Sequence, residues 1–234
     1  MIALTRRAFG TGAVSIAAGS STLVEPSLRL PPSGKARVAL TLDACPGAFD
    51  ERLAQALVDN KIRATIFVTA LWIRFNPAGL AFLLAHREFF SLQNHGGRHL
   101  PPILGVRSVY GLRAAGTWDA IRLDIADGAG AIRDASGEAP TWYRGAAALY
   151  SPEVLEPIRK LGVGIAGFSL NADRGASLPA SAAAARMAQA RDGDVIIGHI
   201  NQPLRPSGAG IATGAAALKR QGMDFVWLTS VTDL

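Results

Sequence analysis

From Pro31 onward the chain alternates short apolar segments with amphipathic ones, and this alternation constrains the fold more than any other feature. Seven segments are rich in β-branched and apolar residues, as strands are. They are residues 38–43, 64–69, 90–94, 141–144, 163–169, 195–199 and 225–229. Helical patterns between them predict a parallel, βα-wound fold. Both an open doubly wound sheet and an incomplete barrel fit this pattern.

The predicted helices have recognisable ends. Thr117 is the expected N-cap of a helix that reaches about residue 134. Ser151, Pro152 and Glu153 combine a cap, a proline at the first helical position and an acid in the first turn. Residues 96–116 contain no such pattern and are rich in Gly and Pro. Loops of this length are usually functional or disordered.

The composition indicates a globular protein with one sizeable core. Hydrophobic residues make up 49% of the 234 residues and charged residues 18%. Cys45 is the only cysteine, so no intramolecular disulfide can form. Beyond residue 30 the chain has 21 basic and 17 acidic residues, a net charge of +4, with no run of Lys or Arg. We therefore expect no nucleic-acid partner.

The N-terminus has the layout of an export signal. Residues 5–9 read Thr-Arg-Arg-Ala-Phe, a twin-arginine pattern, and a weakly apolar segment rich in Gly, Ala and Ser follows. That segment is too interrupted for a membrane span; a basic terminus followed by an apolar helix is the alternative interpretation. We predict that residues 1–30 are a signal and linker and that residues 31–234 form the folded domain. The protein is then periplasmic or secreted, without stable membrane insertion.

Polar side chains follow most of the predicted strands at the point where each strand ends. In parallel βα folds the chemistry lies at these carboxyl ends. The residues are Asp43, His95 and His99, Arg144, Asp173 and His199, after strands one, three, four, five and six. Three of the four histidines are therefore at strand ends, and His86, on a predicted helix, is the exception.

Each of these residues also has a structural interpretation. Asp43 could cap the helix that begins near Phe49. His95 and His99 are four residues apart, a spacing that lets two imidazoles converge on one metal ion, or they are two polar loop residues. His199, taken alone, fits a hydrogen-bonded structural histidine.

The fourth strand allows two interpretations as well. Arg144, taken alone, fits a surface arginine. Trp142 and Tyr143, which precede it, fit either a core or a platform for a sugar ring. Only the combination of strand ends distinguishes a site from a set of unrelated polar residues.

Taken together, these residues resemble the polysaccharide deacetylases, carbohydrate esterase family 4, which include the nodulation-type chitooligosaccharide deacetylases. The resemblance covers about residues 36–230 and has five motif positions in order. Thr41-Leu42-Asp43-Ala44, with Pro46, resembles Thr-Phe-Asp-Asp; His95-Gly96-Gly97-Arg98-His99 resembles His-Ser/Thr-x-x-His; Arg144 matches the Arg of Arg-x-Pro-Tyr/Phe; residues 171–174 fall near an acidic motif; and Ile197-Gly198-His199 resembles Leu-x-His. The resemblance implies a distorted (β/α)7 barrel of parallel strands, which agrees with the seven predicted strands.

The resemblance also implies roles for individual residues. In the family, two histidines and the second Asp of the first motif hold a divalent metal, usually zinc. By correspondence His95 and His99 are metal ligands, and Asp43 is the general base. Arg144 orients Asp43, and His199 protonates the leaving amine.

The sequence departs from the family at the metal site. Ala44 occupies the position of the metal-binding Asp. Three solutions are open: Asp43 itself binds the metal, Cys45 supplies a thiolate, or the metal binds weakly or not at all.

Three further departures lie elsewhere in the motifs. Gly96 replaces the Ser/Thr that braces the histidine loop, and Gly175 occupies the place of a Trp that forms a wall of the substrate groove. Asn171 stands where an acid is expected, so Asp173 is the predicted partner of Arg144 and a candidate catalytic residue.

These observations predict a metal-dependent hydrolase, with residues 31–234 as its catalytic domain. It would remove N- or O-linked acetyl groups from an envelope or extracellular polysaccharide or oligosaccharide. One alternative is hydrolysis of another non-peptide C–N bond, such as that of a cyclic amide. A second is a carbohydrate-binding pseudoenzyme, which Ala44, Gly96 and the missing Trp suggest.

Overall fold

The structure is a computed structural model that describes residues 22–228. Its strands are β1 Arg37–Ala44, β2 Ala64–Val68, β3 Phe90–Asn94, β4 Ser108–Val109, β5 Leu112–Arg113, β6 Trp142–Tyr143, β7 Gly164–Ile165, β8 Leu170–Asn171, β9 Val195–His199 and β10 Asp224–Phe225. Its helices are α1 Glu51–Asp59, α2 Ala70–Phe75, α3 Pro77–Ala85, α4 Trp118–Ser136, α5 Pro152–Arg159, α6 Ala180–Met187 and α7 Ser207–Arg220. The short helix α2 is the one that the sequence patterns did not predict.

The main sheet is parallel and curls into a distorted barrel. Within residues 22–228 it has eight strands in the order β7-β6-β3-β2-β1-β9-β8, and β10 pairs with the start of β1. The two ends of this path, β7 and β8, are separated in sequence by residues 166–169 alone. An extended chain of that length spans at most about 18 Å, so the sheet must curve until its edges approach each other. The prediction of a distorted (β/α) barrel is confirmed.

The predicted fifth strand, residues 163–169, is wrong as a single element. It is two short strands that pair with opposite edges of the sheet, β7 with β6 and β8 with β9. Between them the carbonyl groups of Ala166 and Gly167 accept hydrogen bonds from Arg144 at 3.2 and 3.1 Å. The chain is interrupted here because it crosses the gap in the barrel.

Strand β1 separates two apolar layers. Its even-numbered residues, from Val38 to Ala44, belong to the largest core cluster together with residues of α1, α3 and α7. Ala39 belongs instead to a second cluster with Phe67 and Val195. Because side chains alternate along a strand, Thr41 and Asp43 share the barrel-facing side with Ala39.

Residues 22–30 pack across the gap in the barrel. The backbone of Leu28 donates to the carbonyl of Phe168 at 3.4 Å, and that of Leu30 donates to Gly193 at 2.8 Å. The folded domain therefore starts before the predicted boundary at residue 31, because this segment covers the backbone between β7 and β8. The twin-arginine pattern at residues 5–9 lies outside the described residues. Between residues 22 and 228, no helix has both the length and the apolarity that a bilayer crossing requires.

Helix capping decides between the two interpretations of Asp43. The N-cap of α1 is Asp50, whose carboxylate accepts from the backbone of Leu53 at 3.3 Å. The capping interpretation of Asp43 is therefore wrong. Thr117 caps α4 as predicted, through the backbone of Ala120 at 3.2 Å.

Candidate active site

A pocket of about 520 Å³ lies at the carboxyl ends of the central strands. Residues that were singled out from the sequence line it, namely Asp43, His95, His99 and His199, and Cys45 lines it with them. These positions are up to 156 residues apart in the chain and are brought together because β9 lies beside β1 and β3 lies on the other side of β2. Arg144 and Asp173 lie behind the pocket, fully buried.

Asp43 is held by a buried ion pair. Its Oδ1 accepts a hydrogen bond from Nη1 of Arg144 at 2.8 Å, and both side chains are at most 5% exposed. Burial raises the pKa of Asp43, but the charge of Arg144, followed by those of His95 and His199, outweighs burial, so the pKa lies below its ordinary value. Asp43 is therefore an anionic carboxylate with one oxygen, Oδ2, left for the pocket.

Arg144 has every part of its guanidinium engaged. Besides Asp43, it donates from Nη2 to the hydroxyl of Thr41 at 2.9 Å and reaches the two carbonyl groups in the barrel gap. Its Cζ atom lies 4.3 Å from the centre of the Phe67 ring. The surface interpretation of Arg144 is therefore wrong. One nitrogen of the planar group holds Oδ1 of Asp43 and another holds Thr41, so the guanidinium ties the two side chains to one position.

His95 is oriented by the backbone. Its Nδ1 lies 2.7 Å from the carbonyl oxygen of Arg144, so Nδ1–H donates and Nε2 is free for a ligand. That Nε2 is 3.4 Å from Sγ of Cys45 and 3.7 Å from Oδ2 of Asp43. Burial lowers the pKa of His95, while the charges of Asp43 and Cys45 raise it by more.

His99 completes a cluster of potential metal ligands. Its ring is 4.8 Å from the ring of His95, centre to centre, in an edge-on arrangement. Its Nε2 is buried and has no hydrogen-bond partner among the described residues. One ligand atom from each of Cys45, His95 and His99 lies within 4.8 Å of the others. Two imidazoles and a sulfur at this spacing could hold a metal ion.

The loop that carries both imidazoles is braced from α4 rather than from within. Asp124 accepts from the backbone of Arg98 at 2.7 Å, and its carbonyl accepts from Gly97 at 2.7 Å. Gly96 has φ of +85°, and a Cβ at this position would overlap the Asp124 carboxylate. The family's Ser/Thr therefore has no room in this chain, and the carboxylate on the neighbouring helix fills that space.

His199 is oriented by a carboxylate. Its Nδ1 lies 3.0 and 3.1 Å from the two oxygens of Asp173, which is fully buried. Burial lowers the pKa of His199, but Asp173, and after it Cys45, raise the pKa well above the ordinary value. The predicted contact between Asp173 and Arg144 is wrong. The guanidinium is already saturated by Asp43, Thr41 and backbone carbonyls on the other side of the pocket.

The rim of the pocket contains residues that the sequence patterns missed. Tyr110 and Leu112 come from the β4–β5 hairpin inside the long Gly- and Pro-rich loop, and Glu25 comes from the segment assigned to a linker. Loop length was the only sequence signal for the hairpin. On the opposite rim Gly175 leaves the wall open, since nothing lies within 4 Å of a Cβ built there.

The aromatic pair before Arg144 belongs to the core. Tyr143 is 1% exposed and packs edge-on against Tyr150 at 6.4 Å between ring centres. Trp142 is partly buried against the cluster that contains Phe67. Of the two interpretations of this pair, the sugar platform is therefore wrong.

Comparisons with solved structures agree with this architecture. An acetyl xylan esterase of family 4 from Clostridium thermocellum, in complex with cobalt, is 26% identical over 83% of this chain and 89% of its own, with a TM-score of 0.67. The peptidoglycan N-acetylglucosamine deacetylase Bc1960 has a TM-score of 0.72 at 21% identity, covering 88% of this chain and 91% of its own. BA3943 from Bacillus anthracis, described as a CE4 family pseudoenzyme, has a TM-score of 0.66 at 19% identity, covering 87% of this chain and 67% of its own.

A search among curated proteins gave no match. The family model described as polysaccharide deacetylase matches residues 31–166, which is more than half of the 234 residues. The matched range contains Asp43, His95, His99 and Arg144. The chain therefore belongs to the polysaccharide deacetylase family.

Proposed function

We propose that this chain is a metal-dependent deacetylase that hydrolyses N- or O-acetyl groups of a polysaccharide. One observation supports this proposal above the others. His95 and His199 face the same pocket beside the anionic carboxylate of Asp43. The Nδ1 partner of His95 is a neutral carbonyl, whereas that of His199 is a carboxylate. The arrangement supplies both a base and an acid beside one pocket, as acid–base hydrolysis requires.

Asp43 is the proposed general base. Arg144 keeps its carboxylate ionised and holds Oδ1, so Oδ2 is the atom that takes a proton from the attacking water. In hydrolysis the water oxygen bonds to the acetyl carbon, and the bond from that carbon to the glycan nitrogen or oxygen breaks. The first proton passes to Asp43, and acetate leaves.

His199 is the proposed general acid. Its Nδ1–H donates to Asp173, which leaves Nε2 to deliver a proton to the departing glycan nitrogen or oxygen. Asp173 raises the pKa of His199, which favours the protonated ring that the acid role requires. Asp173 acts through His199 and is a positioning residue, as a buried carboxylate behind a histidine is in other hydrolases.

His95 and His99 would hold the metal. A divalent ion at this site supplies polarisation of the acetyl carbonyl and acidifies a bound water. The protein's part is to present two imidazole Nε2 atoms, one ring fixed by the Arg144 carbonyl and the other by the loop that Asp124 braces. Zinc is the proposed resident metal because nitrogen and sulfur donors suit it.

Acetate release tests the proposed reaction. The purified protein, loaded with zinc, is incubated with N-acetylated peptidoglycan, chitooligosaccharides and acetylated xylan, and acetate is measured. We expect turnover on at least one glycan that disappears on chelation and returns with zinc. Equal background release by the zinc-loaded wild type and His199→Ala on all substrates would overturn the proposal and favour a pseudoenzyme. Turnover confined to small cyclic amides would favour the alternative function, hydrolysis of a non-peptide C–N bond outside glycans.

We also propose that the protein acts outside the cytoplasm. The twin-arginine pattern at residues 5–9 supports export of the folded chain, which suits a protein that acquires its metal before transport. Replacing Arg6 and Arg7 by Lys should retain the protein in the cytoplasm, as measured by cell fractionation and immunoblotting. Unchanged distribution of this variant would contradict the proposal.

A further inference from the structure

We infer that the thiolate of Cys45 takes the place of the missing carboxylate and is the third protein ligand of the metal, beside His95 and His99. The inference rests on the proposed metal dependence and extends it to the identity of the donor atoms. The site is then one sulfur and two nitrogens, with room for water in a fourth position. It selects zinc or cobalt over magnesium, manganese or calcium.

The periodicity of β1 places Cys45 in the pocket. Thr41 and Asp43 are on the barrel-facing side, where they contact Arg144, and Cys45 is the next residue of the same parity. Cys45 lines the pocket. Ala44, where the family has its ligand, is fully buried in the cluster beneath the helices and does not line the pocket. The donor has therefore moved by one residue along the chain.

The distances single out the same three residues. Sγ of Cys45 is 3.4 Å from Nε2 of His95, and the ligand atoms of all three side chains lie within 4.8 Å of one another. Nε2 of His99 is buried and has no hydrogen-bond partner in the described part of the chain. Burial of a polar atom without a partner is costly, and a metal ion would satisfy it.

Asp43 fits this ligand set less well. It is not part of the group of mutually close donors, and its Oδ1 is committed to Arg144. Using Oδ2 for the metal would leave the site without a free carboxylate to act as base. With Cys45 as the ligand, Asp43 keeps the role of base. The ligand lost at Ala44 is then replaced by the thiolate of the next residue.

Cobalt spectroscopy tests the ligand directly. The protein is stripped of metal, loaded with Co²⁺ and examined by absorption in the near ultraviolet, where a thiolate–cobalt bond gives a charge-transfer band. Because Cys45 is the only cysteine, such a band has one possible source. We expect the band in wild type, its loss in Cys45→Ser, and metal binding weaker by at least about tenfold in that variant. The matched control is His86→Ala, which removes a histidine outside the pocket and should leave band and affinity unchanged.

A second variant guards against a folding artefact. Cys45→Asp returns a carboxylate to the pocket-lining position, and we expect stoichiometric metal, no charge-transfer band and a cooperative thermal transition. Stoichiometric cobalt in wild type without the band would overturn the inference while leaving the proposed deacetylase intact. The band without acetate release would support the inference and overturn the proposed reaction. Wild type that binds no cobalt or zinc would overturn the inference and the metal dependence together.

Discussion

The two sides of the pocket present the same side chain in two different settings. On one side Nδ1 of His95 donates to a backbone carbonyl, that of Arg144, at 2.7 Å. On the other side Nδ1 of His199 donates to the carboxylate of Asp173 at 3.0 Å. Both rings are largely buried, and in each ring the Nδ1 partner leaves Nε2 available for another contact.

The difference in partner charge gives the two imidazoles different chemistry. The carbonyl orients the His95 ring without adding a full negative charge at Nδ1, and Nε2 faces Cys45 and Asp43, as suits a metal ligand. A buried carboxylate stabilises the imidazolium, which suits a proton donor. A metal site and an acid site can therefore share one pocket, although both are built from histidine.

Removing each ring in turn tests whether the two imidazoles have different roles. His95→Ala should abolish stoichiometric zinc binding and reduce acetate release to background. His199→Ala should keep zinc and lose about 10²–10⁴-fold in kcat, the usual worth of a positioned acid. Metal content by atomic emission and acetate release measure the two effects. Loss of zinc in both variants would show that the two sides are not chemically distinct.

Neutralising Asp173, the partner of His199, tests whether the charge of this partner makes His199 an acid. In Asp173→Asn the amide cannot stabilise the imidazolium, so the pKa of His199 falls, while Cys45 and Asp43 still face the ring. The alkaline limb of the kcat–pH profile should move to lower pH, with about tenfold lower kcat at neutrality. A profile that only falls in height, with both limbs in place, would contradict the assignment of the acid.

The His199–Asp173 pair also predicts that the free energy of unfolding depends on pH. Because the pKa of His199 is raised above its ordinary 6.5, protonation stabilises the folded state fully below pH 6.5 and progressively less as pH rises through the folded value. Urea unfolding of metal-free wild type and Asp173→Asn should therefore differ most at acid pH. An equal difference at all pH values would argue for a packing effect alone.

A smaller effect is expected at Asp124, which holds the loop that carries His95 and His99. In Asp124→Ala the histidine loop loses its acceptor for the backbone of Arg98, and zinc should bind about tenfold more weakly, in line with other outer-shell partners. The pH limb assigned to His199 should not move. Asp124→Asn, which keeps one acceptor oxygen, is the matched control and should lie closer to wild type. Isothermal titration measures the affinity, and equal losses in both variants would contradict the bracing role.

The smallest effect is expected at the rim, away from both imidazoles. Tyr110 is 84% exposed on the hairpin and lines the pocket, so it has space to stack against a sugar ring. Tyr110→Ala should raise KM a few-fold and leave kcat unchanged, and Tyr110→Phe should behave as wild type. Steady-state kinetics on an oligosaccharide decides this. A fall in kcat without a change in KM would place Tyr110 outside substrate binding.

Much of the fold was predictable from local pattern. The strands β1, β3 and β9 and the cap at Thr117 were identified because a buried strand and a capped helix leave short, repetitive signatures in sequence. The strands β7 and β8 were predicted as one strand over residues 163–169. Their separation depends on how far the sheet curls, which local sequence pattern does not reveal. The role of residues 22–30 was missed because their contacts lie with Phe168 and Gly193, far along the chain.

Local sequence patterns were enough to predict the parallel βα architecture, the family motifs and the identity of most pocket residues. The sequence predicted that Arg144 orients Asp43, assigned Asp173 wrongly to Arg144, and left open the choice among three solutions for the metal. The tertiary structure confirms the contact of Arg144 with Asp43, and it alone pairs Asp173 with His199 and Cys45 with the two histidines of the loop. The reason is physical: residue type and spacing fix what a side chain can do, whereas partner, distance and charge depend on strands that are neighbours only in space.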